Sequence, residues 1–411
     1  MGRLSQNPAN LAPFINTPAA STQARRVQSA NTTVDRPSTQ EREIGNELIV
    51  GTTFDVPDVG VSVEANLVNA KLISTIANRS PAATFSNLSL LDLLGPQDLD
   101  LMMLQRNTAR DAWLQTVYVK QAGIGSYRMA ASTDASATET FELTSTNKTA
   151  FERFVEVDNL IAMTAGQTAY TLSANPVELT RGSVAGNSLI SAAFAQPNGP
   201  STYMVENVDY SVSATTVTLL NADHIAAVVS GTQFLFAFQL PGGTPGGDNY
   251  QAKDLISPAA IRGYYHIPVT ITVSGTQIQT TGVQSVEATI NFGINSEVGM
   301  GSQAIGFFRA EPAEVTGNFT IFADRYTLEK LMIAGTTSST DTDYPIDAYR
   351  DDIIIRLQFK DPKTGIVQRT DMLSGLTIAG DGKDVAVGTA VGKTFNFSAA
   401  AGFNWYITKN V

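Results

Sequence analysis

Two glycine-containing stretches come closest to nucleotide-binding chemistry. In the first, GTAVGKT at residues 388–394, only three residues separate Gly388 from Gly392, whereas a phosphate-binding loop needs four so that successive amides point at the phosphates. This stretch also lies between two predicted strands with no helix after it, which favours a hairpin turn. The second, GMGSQA at residues 299–304, lacks the following helix and the acidic residue of a dinucleotide-binding fingerprint. Neither stretch predicts a nucleotide site.

The sequence also lacks the residue patterns that acid–base catalysis or metal binding would need. The two histidines, His224 and His266, fall in different predicted modules, and neither has a serine or acid partner in the local pattern. The acidic stretch between 341 and 352 contains Pro345 and lacks the terminal glutamate of a calcium loop. The absence of cysteine excludes disulfides and thiolate metal sites. The sequence therefore predicts no enzyme, no cofactor and no metal site.

The composition favours a large, mainly β protein. A length of 411 residues fits two or three domains. Hydrophobic residues make up 43% and charged residues only 16%, as expected where much of the surface is either polar and uncharged or hidden in an assembly. The 32 glycines and the frequent Thr, Ser and Val favour short strands and turns. No run of about 18 apolar residues predicts a membrane span, and the first residues lack a signal-peptide pattern.

The charge distribution separates the beginning of the chain from the rest. The net charge of −11 argues against nucleic acid as a bound ligand, because neutralising phosphates requires clustered Lys and Arg, but it suits a surface that DNA passes without sticking. Residues 1–44, in contrast, are slightly basic, rich in Asn, Thr, Ser and Pro, and without periodicity. They are either a disordered tail or an extended arm that orders against an acidic neighbouring subunit.

A short internal repeat predicts that the chain contains two copies of one domain, at 45–160 and 250–411. The tetrad Ser-Val-Glu-Ala occurs at 62–65 and again at 285–288, which places Glu64 and Glu287 at equivalent positions. Further elements follow in the same order in both copies: strands at 85–91 and 314–322, helices at 99–106 and 326–334, strands at 113–120 and 352–360, and strands at 139–144 and 393–397. The strand at 139–144 is expected to carry Glu139 and Glu142 on one face.

Between the two copies, residues 161–249 predict a different unit. Short strands at regular spacing, separated by Gly and Asn turns, are typical of a small immunoglobulin-like β-sandwich. The run PGGTPGG at 241–247 bounds it downstream as a flexible linker. The predicted fold is therefore mainly β, with two fused β-sandwich or barrel domains, each with a flanking helix, around an inserted β-sandwich.

Three segments resemble a known family. VEATIN at 286–291, EVTGNFT at 314–320 and FNFS at 395–398, in the order strand–strand–helix–long strand–hairpin–terminal strand, resemble the major tail tube protein of tailed bacteriophages. The likeness covers most of 45–160 and 250–411, but neither the middle unit nor the first 44 residues. It implies subunits that join side by side into rings, and rings that stack into a hollow tube. Two fused copies imply homotrimeric rings with pseudo-sixfold symmetry.

The resemblance also implies a function and partners. The chain would be a structural virion protein of a phage tail, assembled in the bacterial host cytoplasm, through which DNA passes during genome ejection without specific binding. Its partners would be copies of itself and other tail proteins, such as a terminator and a tip or baseplate. Within this picture Glu64 and Glu287 are expected to face the lumen, and the basic residues Arg3, Arg25 and Arg26 are expected to contact the adjacent ring.

Another function class fits the same composition. A virion surface decoration or a receptor-binding adhesin could also be built from tandem β-sandwiches. An adhesin should show a concentrated aromatic patch or a metal site on one module, and the sequence shows neither. A glycan hydrolase would need paired carboxylates in a cleft, which a sequence does not locate.

Overall fold

The computed structural model describes residues 11–410 apart from 25, 37, 42–50, 55, 56, 68, 69, 83, 91–97, 107–112, 153, 181–185, 241–259, 263–265, 274, 280, 281, 299–304, 311, 312, 323–351 and 385–391. The predicted helix at 326–334, the acidic stretch at 341–351, residues 299–304, most of 388–394, Arg3 and Arg25 lie outside the described residues. The described chain is mainly β, which confirms the predicted fold class.

The chain has a first half, a middle module and a second half. The first half contains β1 (Leu11–Thr17), β2 (Ala20–Gln23), β3 (Val27–Asp35), β4 (Ser38–Glu41), β5 (Gly51–Phe54), β6 (Asp58–Asn66), α1 (Lys71–Ile76), β7 (Phe85–Ser89), β8 (Asp98–Arg106), β9 (Trp113–Ser132), β10 (Thr138–Ser145) and β11 (Asn147–Phe151). The middle module contains β12 (Val155–Ile161), β13 (Ala169–Thr171), β14 (Ser191–Ala195), β15 (Thr202–Tyr203), β16 (Tyr210–Ser213), β17 (Thr216–Leu219), α2 (Ala222–Ala227) and β18 (Gln233–Gln239). The second half contains β19 (Val269–Val273), β20 (Thr276–Gln279), β21 (Val283–Asn291), β22 (Ile294–Val298), β23 (Ile305–Ala310), β24 (Glu314–Phe322), β25 (Ile353–Lys360), β26 (Val367–Asp384) and β27 (Gly392–Lys409).

The two halves have the same strand order. In the first half the order is β2-β1-β8-β9-β10-β6-β3, and in the second it is β20-β19-β25-β26-β27-β24-β21, with every pair antiparallel. A separate hairpin, β4–β5 or β22–β23, follows the edge strand in each half. The halves join where β21 pairs with the second part of β9, so the strands of both halves, apart from the two hairpins, form one open sheet.

The irregularities of the two halves also coincide. Val27 pairs with Ala65 and Val283 with Ile321, and the register shifts directly after each pair, at positions 256 residues apart (283 − 27). Similarly, Gln121 with φ of 50° and Gly375 with φ of 66° occupy the same kink in β9 and β26. Bulges and left-handed residues re-aim a strand, so matching ones give the halves the same local twist.

The expected equivalence of the two Ser-Val-Glu-Ala tetrads is wrong. Residues 62–65 lie in β6, whose counterpart is β24, whereas residues 285–288 lie in β21, whose counterpart is β3. In this register Glu64 corresponds to Thr320 and Glu287 corresponds to Asn31. The short sequence repeat that agrees with the hydrogen-bond register of the two halves is Val-Gln-Ser, at 27–29 and 283–285.

The helix expected at 99–106 is also wrong, because these residues form β8. Its side chains are buried on both faces: Leu99 and Leu101 join the main core, while Met102 and Leu104 join the core beneath the middle module. A strand covered on both faces has a continuous apolar sequence, which periodicity alone does not distinguish from a buried helix. The short helix α1 flanks the first half instead.

The boundary expected at residue 44 does not hold either. Residues 11–35 form β1, β2 and β3, which are hydrogen-bonded into the sheet of the first half, and Ile15 is fully buried. Polar side chains dominate this segment because β3 is an edge strand whose side chains are mostly exposed. The segment is therefore part of the first half rather than an arm.

The middle module is a small sandwich of two sheets, β12-β18-β14-β15 and β13-β17-β16. Its core, with fully buried Phe234 and Phe236, continues onto Phe14, Met102 and Leu104 of the first half. The register counterparts of those three residues in the second half are polar: Thr270, Arg356 and Gln358. The module therefore covers the outer side of only one half.

Candidate functional site

A polar face extends across seven neighbouring strands, from β3 to β27. One row of directly paired residues runs Glu64, Thr140, Arg128, Thr289, Thr316 and Ser398. The next rows add Ser62, Glu142, Ser126 and Asn291 on one side, and Glu287, Asn318 and Asn396 on the other. The alternate residues of the same strands, such as Phe141, Phe319 and Phe395, are fully buried. This alternation gives one core face and one Ser-, Thr- and Asn-rich face.

The charges on this polar face are mostly acidic. The described residues there include the acids Glu64, Glu142, Glu287 and Glu314 against one basic residue, Arg128. Arg128 Nε donates a 2.8 Å hydrogen bond to Glu287 Oε1, and this bond, together with the nearby Glu64 carboxylate, raises the pKa of Arg128. The two acids predicted from the sequence thus share the polar face and both act on Arg128, although they lie on strands that are not counterparts.

Sequence reasoning missed Glu142 as a member of this face. Glu139 and Glu142 were expected to share a face, but residues three apart in a strand point to opposite faces, and only Glu142 is exposed. Ser126 Oγ donates to Glu142 Oε2 at 2.9 Å. Glu139 belongs to a different site, at the junction between the two halves.

A buried ionic network crosses this junction. Arg369 of β26 donates from Nε and Nη2 to the two carboxylate oxygens of Asp371, each at 2.6 Å. Its Nη2 also donates to the Tyr127 hydroxyl at 2.8 Å, and its Nη1 lies 3.4 Å from Glu139 Oε2. Trp405 Nε1 donates to Asp371 at 3.2 Å. Tyr127 and Glu139 come from the first half and the other three from the second, so the network fastens the halves together.

Burial decides the protonation of Glu139. Desolvation raises its pKa from 4.5 to about 7, and Arg369 offsets only part of that shift. The physical reason is that the bidentate Asp371 already balances the Arg369 charge, so an ionised Glu139 would be a second buried negative charge. Burial likewise raises the pKa of Asp98 to about 6 and that of Glu156 to about 7.

These shifts predict that the protein is more stable in mild acid than at pH 8. A carboxyl group with a raised folded-state pKa contributes stability that is complete below the unfolded value and is lost as pH rises through the folded value. We expect Glu139→Gln, which mimics the protonated acid, to reduce the loss of unfolding free energy between pH 5 and 8 by about 1–3 kcal/mol. Urea titrations at both pH values measure this difference. Glu142→Gln, on the same strand but exposed, is the control and should retain the wild-type dependence; an unchanged dependence in Glu139→Gln would contradict the assignment.

The remaining predicted residues lie apart from both sites. His224 is in the middle module beside Phe194, with Nδ1 3.5 Å from Asp209, and His266 accepts a hydrogen bond at Nδ1 from the backbone of Arg262. Arg26 is exposed in the short connection between β2 and β3. Within the described ranges no three His, Asp or Glu residues are grouped as metal ligands, and no helix there has the length and apolarity of a membrane span.

Comparisons with known proteins do not assign this chain to a family. No protein-family model matches the sequence, and no curated protein matches it. Among solved structures, a chain from the cryo-EM structure of the anti-feeding prophage (AFP) baseplate, 6-fold symmetrised, is similar over 37% of this chain and 96% of that chain, with 13% sequence identity and a TM-score of 0.26. A TM-score this low does not indicate a shared overall fold.

Proposed function

We propose that this chain is a structural protein of a phage-type tail, which joins side by side with copies of itself into rings that stack as the tail tube. The observation that carries the proposal is the continuous sheet whose one face is core and whose other face is polar and acidic. The sequence resemblance to major tail tube proteins supports it. The equal strand order of the two halves supports a duplication, in which each chain supplies two ring positions and three chains supply six.

The polar face suits a channel for DNA. Carboxylates repel phosphates, and the neutral Ser, Thr and Asn side chains around them offer no clustered positive charge to which DNA could bind. A duplex would therefore pass with little attraction. The middle module packs on β1, β8 and the first part of β9, away from the residues of the polar face, so the module does not cover that face.

Electron microscopy of the purified full chain tests the proposal. We expect rings or elongated tubes with a central channel. Discrete monomers or compact trimers that bind glycans or cells would instead support the surface adhesin.

Inverting the charges of the polar face should make assembled tubes bind DNA. We expect the triple variant Glu64→Lys, Glu142→Lys and Glu287→Lys to raise DNA affinity at low salt by about tenfold or more, with a steep loss as salt increases, because each lysine neutralises a phosphate. Filter binding across a salt series measures this effect. A triple variant with the same net charge at exposed positions elsewhere, Glu152→Lys, Glu178→Lys and Asp223→Lys, is the control. Equal binding by both variants would contradict a DNA-facing role for the polar face.

A further inference from the structure

Among the described strands, the edge strand β3 has a partner on one edge only. It pairs with β6 on one side, and no other described strand pairs with it. Its counterpart β21 uses both edges, with β24 on one side and β9 on the other. The burial of equivalent residues differs accordingly: Val34 in β3 is 46% exposed, whereas its counterpart Ile290 is completely buried at the junction of the halves. An apolar residue on the core face of an open edge marks a surface that pairing would cover.

The second half offers the complementary edge. In the first half, residues 126–130 of β9 pair with β10 on one side and with β21 on the other. The counterpart segment of β26, residues 380–384, pairs with β27 on one side, and among the described strands nothing pairs with its other side. The chain therefore carries both edges of a second junction of the same kind, one in each half.

We propose that β3 of one chain pairs antiparallel with β26 of the next chain, in the register that joins β21 to β9 within the chain. This inference rests on the proposed self-assembly and deepens it by naming the contacting strands. The internal pairs Asn291–Ser126, Thr289–Arg128 and Glu287–Ala130 fix the register. Their counterparts place Asp35 opposite Gly380, Thr33 opposite Gly382 and Asn31 opposite Asp384 of the neighbouring chain.

The partner is a second copy because the junction within the chain already demonstrates the fit. A contact between two different edges of identical chains is head-to-tail, and it either closes into a ring or continues as a filament. It also covers the open edges that would otherwise pair indiscriminately. The polar rows would then continue from one chain to the next without interruption.

The two junctions differ in one respect. The register counterpart of Arg369 is Gln115, because Phe359–Arg369 corresponds to Gln105–Gln115. The proposed contact between chains therefore lacks the buried arginine that fastens the two halves. Among the two junctions, the one between chains is expected to open first when assemblies are diluted or treated with denaturant.

Cysteine cross-linking tests the register, and the chain contains no cysteine that would interfere. Directly opposite residues of antiparallel strands lie about 4.5–5.5 Å apart at Cα, within the range of a disulfide. We expect Asn31→Cys with Asp384→Cys to give covalent dimers and trimers under oxidation. The internal equivalent, Ala130→Cys with Glu287→Cys, should form a disulfide within one chain and shows that this geometry is competent.

Three controls make the outcome decisive. Asn31→Cys with Lys383→Cys shifts the pair by one residue onto opposite faces and should not cross-link. Dimers from Asn31→Cys alone would indicate symmetric β3–β3 pairing and would overturn the inference. Rings or tubes that stay uncross-linked, while the internal pair forms, would also overturn the register but leave the proposed function intact. A wild-type chain that never assembles would overturn both.

A point substitution gives an independent readout. Val34→Asp places a charge on the core side of the edge and should reduce the assembled fraction about tenfold or more, with little change in the melting temperature of the separate chain. Sedimentation velocity measures the assembled fraction. Val229→Asp, at a valine of the middle module that is 41% exposed, is the matched control and should assemble normally. Normal assembly of Val34→Asp would overturn the inference.

Discussion

Arg369→Ala is expected to lower the free energy of unfolding by about 3–5 kcal/mol, or to prevent folding altogether. The substitution leaves Asp371 buried without the cation that compensates it, and removing one partner of a buried ion pair costs far more than an exposed pair contributes. It also removes the donor to the Tyr127 hydroxyl. Urea denaturation followed by tryptophan fluorescence measures the change, since Trp405 belongs to the same network.

The duplicated strand order supplies the matched control for this experiment. Gln115 occupies the position of Arg369 in the first half, and its side chain is half-buried and uncharged. We expect Gln115→Ala to cost less than about 1 kcal/mol, as is usual away from buried networks. Similar losses from the two substitutions would show that the ionic network does not fasten the halves.

Gly317→Val is expected to cost about 3 kcal/mol or more. Gly317 lies on the central strand β24, where a Cβ atom would overlap the backbone carbonyl of Glu287 and the ring of Phe397. The carbonyl belongs to the neighbouring strand and cannot move without breaking the sheet, so this overpacking exceeds the usual cost of an added methylene. Gly125→Ala, whose methyl group would lie 3.5 Å from the Glu142 carbonyl, is the control and should be tolerated.

The first half contains its own solution to the same packing problem. There the counterpart pair is Val61 with Leu143, so the larger residue on one strand faces a smaller one on the next. We therefore expect Phe397→Leu to recover part of the loss in the Gly317→Val chain, by about 1 kcal/mol or more. Additive losses in the double variant would mean that the Phe397 ring is not the obstacle.

The sequence predicted the type of fold better than the identity of its parts. Alternation and turn chemistry identified most strands, because those signals are local. The helix predicted at 99–106 is wrong because the middle module buries Met102. This tertiary contact removes the apolar–polar alternation that would identify β8 as a strand. Residues 11–35 were assigned to an N-terminal arm because the exposed edge strand β3 has a composition as polar as that of a disordered tail.

The candidate sites show the same division between local and long-range information. Strand alternation could have placed Glu142 on the polar face, since parity alone separates it from Glu139. Nothing local signals the ionic network, whose members Glu139 and Arg369 are 230 residues apart in the chain. The short tetrad echo drew attention to the repeat, but only hydrogen-bond register identifies which residues correspond.

The middle module departs from the chain and returns to it at one point, because Val155 and Gln239 are directly opposite each other in neighbouring strands. A segment attached in this way can be gained, lost or exchanged without re-routing the strands on either side. The first half nevertheless has an apolar patch beneath the module, formed by Phe14, Met102 and Leu104. This patch would be exposed to solvent if the module were removed. In the second half the same positions are occupied by Thr270, Arg356 and Gln358, so they form no such apolar patch. Foreign domains could therefore be grafted at this point only if they bring an apolar underside of their own.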